Sequence, residues 1–134
     1  MQLIRFRVDL APHCSLGPGK IALLEAVAKQ GSLTKAAAKL GYSYRYAWLL
    51  LDDLNRSFDT PVTRAMVGGR RGGGVEVTKF GAELIRRFQL ATRRIDAAGR
   101  GAFKPLRSKV RARASAKPGR KAARSRARSI KSPS

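Results

Sequence analysis

The stretch Gly31-Ser32-Leu33-Thr34-Lys35-Ala36-Ala37-Ala38-Lys39-Leu40-Gly41-Tyr42-Ser43-Tyr44-Arg45-Tyr46-Ala47-Trp48 decides how the rest of the chain is read. Ser32 stands where a hydroxyl accepts a first-turn amide. Leu33, Ala36, Ala37 and Leu40 then recur at helical spacing, which predicts a short helix of about two turns. Gly41 takes a left-handed backbone without steric cost, and Ser43 is placed to cap a further helix running to about Phe58. Small alanines in the first helix let the second cross it closely, so the pair reads as a helix-turn-helix.

The second helix of that pair has a predicted buried stripe of Ala47, Leu51, Leu54 and Phe58. Trp48 is assigned to the same side, because a large ring gains most by burial. Arg45, Tyr46, Leu49, Asp52, Asp53 and Arg56 are left facing outward, cationic and aromatic in the first turns and acidic later. Asp52 and Asp53 point about 100° apart, as neighbours on a helix do, and read as a solvated or salt-bridged edge.

Upstream, Ile4, Phe6, Val8 and Leu10 alternate with Arg5, Arg7 and Asp9, which predicts a half-buried strand from Leu3 to Leu10. Pro12, Gly17, Pro18 and Gly19 mark a loop. His13 and Cys14 are expected to lie in it without special chemistry, since one Cys and one His supply neither a disulfide nor a zinc set. Ile21, Leu24, Val27 and Ala28 predict a helix up to Gln30, closed by Gly31.

Downstream, Pro61 to Val67 and Val75 to Val77 flank Gly68-Gly69-Arg70-Arg71-Gly72-Gly73-Gly74. This reads as a hairpin whose small, arginine-bearing tip suits a phosphate backbone or a minor groove. The Lys-Ser or Lys-Thr that a phosphate-binding P-loop needs is missing from it. Thr78 then caps a long helix. Its stripe of Phe80, Leu84, Ile85, Phe88, Ala91 and Ile95 leaves Arg86, Arg87, Arg93 and Arg94 largely outside, and Phe80, Leu84, Phe88, Ala91 and Ile95 are expected to pair with a second copy.

The chain has 134 residues, 29 of them Lys or Arg against 8 Asp or Glu, a formal net charge of +21. That length suits one small domain, and that charge makes a polyanion the natural partner. Residues up to 100 hold 17 basic and all 8 acidic residues, whereas 101–134 hold 12 basic and none acidic. A folded domain over 1–98 and a disordered Lys/Arg/Ala/Ser-rich tail over 99–134 are therefore expected, the tail reaching phosphates through Lys117, Arg120 and Lys121. The longest apolar run, Ala47 to Leu51, is too short for a bilayer, and Arg5, Arg7 and Asp9 interrupt any signal-peptide core. A cytoplasmic, nucleoid-associated protein without membrane contact is the expectation. No enzyme, cofactor or metal site is expected either, because no nucleophile, base and acid assemble around one His.

Gly31 to Ala37, followed by Leu40 to Trp48, resembles the DNA-binding half of the ModE family of molybdate-responsive regulators. The glycine-rich segment Gly68 to Gly74 and the run Val77-Thr78-Lys79-Phe80-Gly81 carry the likeness further. A generic LysR-type domain shares the first half but lacks this wing and the Ser-Tyr-x-x-Ala-Trp start of the third helix. The resemblance covers about residues 2–98 and implies a fold that is mostly α with a small β wing, a winged helix-turn-helix followed by the basic tail. It further implies a dimeric regulator with the terminal helix in the dimer contact. DNA would meet Thr34, Lys35, Ser43, Tyr44, Arg45, Tyr46 and Leu49, with the third helix in the major groove and Arg70 and Arg71 on the flanking backbone. ModE proteins carry two small molybdate-binding β-barrel modules where this chain has its basic tail, so molybdate binding by this chain alone is not expected. The competing expectation is an architectural protein that coats DNA, similar in plan to linker histones. RNA suits the arrangement less well, since a helix with a wing fits B-form grooves.

Overall fold

The helix-turn-helix is held together by caps that are local in sequence. The computed structural model describes residues 3–67 and 74–113. In chain order it contains β1 (Val8–Ala11), β2 (Cys14–Leu16), α1 (Pro18–Gln30), α2 (Leu33–Leu40), α3 (Tyr44–Ser57), β3 (Thr63–Ala65), β4 (Val75–Val77) and α4 (Lys79–Arg107). Gly31 closes α1 at φ 66° and Gly41 closes α2 at φ 70°, both in the left-handed region where glycine escapes a Cβ penalty. The hydroxyl of Ser32 accepts the Lys35 amide at 3.2 Å, and that of Ser43 accepts the Tyr46 amide at 3.1 Å. Each cap satisfies a donor that the helix itself cannot.

Leu23, Leu24, Val27, Ala36, Ala47, Leu54 and Val62 are fully buried and bring α1, α2, α3 and the start of the wing into one core. Each large aliphatic among them contributes roughly 1.5–3 kcal/mol by leaving water. Ala36 and Ala47 have no bulk to hold the helices apart, so α2 and α3 pack closely.

The wing is a separate two-stranded antiparallel sheet, β3 against β4, with Thr63 opposite Val77 and Ala65 opposite Val75. Hydrogen bonds from both of its ends fasten it to the helices. The Val75 amide donates to the Gly31 carbonyl at 3.0 Å, and a Cβ on Gly74 would lie 2.6 Å from that oxygen, so the joint needs glycine at 74. The Thr78 hydroxyl donates to the Pro61 carbonyl at 2.7 Å and accepts the Gly81 amide at 3.0 Å, capping α4 against the wing. A Cβ on Gly81 would run into the Val62 carbonyl, so that position of α4 needs glycine.

Four expectations need correction. Residues 3–7 form no strand. The Leu3 and Ile4 amides instead donate to the Asp96 carboxylate of α4 at 2.7 and 2.9 Å, Ile4 fills the space over Gly99, and Phe6 stacks on Phe88 with ring centroids 4.6 Å apart. Alternation correctly marks Ile4 and Phe6 as inward, but the surface they meet is a helix, while Leu10 is exposed. Cys14 is buried in β2, which pairs with β1 across what reads as a loop. Trp48 is half exposed, as described below. Finally, α4 continues through Gly99 and Gly101 to Arg107, shortly beyond Pro105, so residues 99–107 are helical where composition predicts the start of a disordered tail.

Residues up to Ala102 form one compact unit. Within it the Leu3 amide, the Arg100 guanidinium and the Ile4 amide, in that order, hold the Asp96 carboxyl below its ordinary value, because each stabilises the anion. No helix of the described residues is long and apolar enough to cross a membrane.

Candidate nucleic-acid interface

Ser43 caps α3 from outside the helix, and the first two turns that follow present Tyr44, Arg45, Tyr46, Trp48 and Leu49 to solvent. Tyr44 is 55% exposed, Tyr46 50%, Trp48 49% and Leu49 47%, four large apolar or aromatic groups within six residues. The reason lies in the opposite face: Ala47, Leu51 and Leu54 complete the packing against the core. Trp48 follows Ala47 by 100° around the helix, which turns it away from that packed face. Tyr46 is steadied edge-on by Tyr42 of the turn, with centroids 5.1 Å apart.

Charges along α3 divide by position. Asp52 pairs with Arg56 at 3.5 Å, and Asp53 with Lys20 of α1 at 2.5 Å, so the acids toward the far end are compensated. Among the described residues Arg45 has no ion-pair partner, and neither do Lys35 and Lys39 of α2. Thr34 and Lys35, in the first turn of α2, are exposed. Ser43, Tyr44, Arg45, Tyr46 and Leu49 are likewise exposed, at the start of α3.

Asn55 was missed in the sequence and ties this helix to the wing. Its carbonyl oxygen accepts the Val62 amide at 2.8 Å and the Thr63 amide at 3.3 Å, while its amide nitrogen donates to the Thr63 hydroxyl at 3.0 Å. An Asn near a helix end before a Pro-Val run has no local signature that announces this role. Arg70 and Arg71 of the wing tip, and Lys117, Arg120 and Lys121 of the basic segment, lie outside the described residues.

Of the residues expected to form a dimer contact, Leu84, Phe88, Ala91 and Ile95 line one groove, and Phe80 is not among its lining residues. Leu84 and Phe88 belong to the core of this chain, and Phe80 packs on Phe58 with centroids 5.2 Å apart. Ala91 is half-buried and Ile95 exposed, and the groove, apolar and of about 530 Å³, is shared with Val8 and Leu10 of β1.

A buried three-helix core, a recognition-type helix left bare at its N-terminal turns, and a hairpin clamped beside it define a winged helix-turn-helix of the kind found in bacterial DNA-binding regulators. Residues 19–82 match the model of the bacterial regulatory helix-turn-helix protein, lysR family. Among known proteins the chain is 43% identical over 75 residues to the molybdenum-pterin-binding protein MopA of Rhodobacter capsulatus, covering 56% of this chain and 28% of that one. It is 32% identical over 87 residues to the molybdenum transport protein ModE of Azotobacter vinelandii, covering 65% and 32%. It is also 33% identical over 73 residues to the DNA-binding transcriptional dual regulator ModE of Escherichia coli, covering 54% and 28%. The chain thus matches less than a third of the length of these curated relatives. Among solved structures it is similar to MepR, a transcription regulator of the Staphylococcus aureus multidrug efflux pump MepA, with TM-score 0.52 and 15% identity over 87% of this chain and 76% of that one. Residues 19–82 are thus similar to a LysR-type helix-turn-helix, and about half of the chain is similar to the N-terminal part of ModE-type proteins.

Proposed function

We propose that this protein is a sequence-selective transcriptional regulator acting on duplex DNA in the cytoplasm. The first turns of α3 enter a major groove, Thr34 and Lys35 of α2 hold phosphates, and the wing grips the adjoining backbone through Arg70 and Arg71. The observation that carries this reading is the division of α3: acids compensated by Arg56 and Lys20, and Arg45, among exposed rings, without an ion pair to any described residue. A cation kept clear of acids is available for a guanine edge or a phosphate.

Selection of binding sites from a random duplex library with the whole chain tests the reading. A recurring motif that survives excess random DNA at physiological salt is expected; retention of all sequences alike favours the architectural alternative. Residues 114–134 contain seven basic and no acidic residues and add affinity for any sequence. A chain cut after Arg113 keeps the selected motif but loses salt dependence, up to about 0.9 in the log–log slope for each phosphate contact removed.

Two copies act together, joined along the groove bordered by Leu10, Ala91 and Ile95, whose exposed apolar groups a single copy leaves in water. A palindromic motif and a dimer mass in sedimentation are expected. These 134 residues take up no molybdate, and equilibrium dialysis with molybdate at stoichiometric protein is the check.

A further inference from the structure

We propose that Trp48 is a sequence-reading residue whose indole packs against the 5-methyl group of a thymine in the major groove. The inference rests on the DNA-binding reading above and adds to it the chemistry by which one position is read.

Three observations carry it. Trp48 is 49% exposed although burial is the ordinary fate of an indole, and its neighbours Tyr44 and Leu49 are exposed with it, so the bare surface is a patch. Arg45, Trp48 and Leu49 are spaced i, i+3 and i+4, which makes them adjacent on one helical face, and the cation among them has no ion-pair partner among the described residues. The helix is also fixed where it stands: Ser43 caps its start and Asn55 clamps its far half to the wing, so the ring is carried on a rigid element.

The partner follows from what a groove offers. A duplex viewed from its major groove presents base edges, not base faces, which leaves an aromatic side chain little to stack on. The one apolar group displayed there is the thymine methyl, beside the acceptors that suit an arginine. A patch of indole, leucine and guanidinium therefore matches a thymine next to a guanine, whose O6 and N7 accept from the guanidinium while the methyl meets the apolar groups.

Trp48 is the chain's one tryptophan, so its emission reports this site alone. The experiment uses the full chain, a duplex taken from the random-library selection, and versions of it in which each thymine in turn is replaced by deoxyuridine, which removes the methyl and nothing else. Wild-type emission is expected to change in intensity and position on binding. One deoxyuridine position per half-site should weaken binding about fourfold, the value of one buried methyl-sized group. In Trp48→Ala the thymine-to-deoxyuridine ratio at that position should fall to about one, with the far-ultraviolet spectrum unchanged. Trp48→Phe, which keeps an apolar ring, should retain part of the ratio. Binding with unmoved emission, or an equal loss on thymine and deoxyuridine duplexes in Trp48→Ala, overturns the inference and leaves DNA binding in place. Failure to bind any duplex removes both readings together.

Discussion

The two halves of α3 are built to opposite ends. From Tyr44 to Leu49 the helix keeps one face in the core and leaves the rest bare, with Arg45 in no ion pair among the described residues. From Leu51 to Phe58 nearly every polar group is engaged: Asp52 with Arg56, Asp53 with Lys20, Ser57 with the Asp53 carbonyl, and Asn55 with the wing. One half is held still so that the other can be offered. A helix that only needed solubility would spread its charges and hide its rings along its whole length.

The sharpest way to break this contrast is at Asn55. Replacing it by alanine strips the acceptor from the Val62 and Thr63 amides, and Val62 is fully buried, so water cannot substitute. Each buried donor left unsatisfied costs about 1–3 kcal/mol, and Asn55→Ala is expected to lower the urea midpoint accordingly without changing the slope. If Asn55 positions the wing, affinity for a selected duplex falls further than for random DNA. Equal losses on both would reduce the residue to a fold determinant.

Arg45 tests the bare half from the other direction. Arg45→Ala is expected to leave thermal stability within about 0.5 kcal/mol, because the side chain makes no ion pair with any described residue. Binding to the selected site should weaken by about 1–3 kcal/mol, with preference relaxed at one base pair if the guanidinium reads guanine. A uniform loss across sequences, with a smaller salt slope, makes it a phosphate contact instead.

Ser43 sits at the border of structure and interface, and two substitutions separate the roles. Ser43→Ala removes the cap on the Tyr46 amide and is expected to cost about 1 kcal/mol of stability. Ser43→Asp restores a capping oxygen and favours the helix dipole, so stability returns, but its charge faces the DNA. Recovered melting with still weaker binding is the expected signature. Parallel recovery of both would move Ser43 out of the interface.

The same contrast explains what the sequence discloses. Caps at Ser32, Ser43 and Thr78 and the turns at Gly31 and Gly41 depend on neighbours within a few residues, and each stands in the structure where spacing places it. The exposed group Thr34, Lys35, Ser43, Tyr44, Arg45, Tyr46 and Leu49 was legible for the same reason. Trp48 was not, because hydrophobicity alone assigns it to the core. Its actual place depends on which face of α3 the rest of the core covers, a property of the packed helices and not of one segment. The Leu3–Ile4 clamp on Asp96 spans more than ninety positions, and an alternating pattern says only that a segment has two faces, not what covers one of them. Asn55 and Gly81 are silent on similar grounds, since their partners lie on the wing.

The smallest effect bears on whether the acids of the anchored half stay out of the DNA's reach. Asp52 follows Arg45 and Leu49 by seven and three positions, which turns it toward the same side, yet its pairing with the well-exposed Arg56 contributes little to folding. Asp52→Asn should therefore leave stability within about 0.5 kcal/mol. A unit charge about 10 Å from a phosphate in water is worth about 0.4 kcal/mol, so binding should tighten roughly twofold at low salt. Because that distance is near a Debye length at physiological ionic strength, the gain should fade as salt rises. A much larger gain would mean that the groove runs along all of α3 and that the acidic half is part of the reading surface. No gain even at low salt would confine DNA to the turns between Ser43 and Leu49, which is where the bare rings and the unpaired arginine already stand.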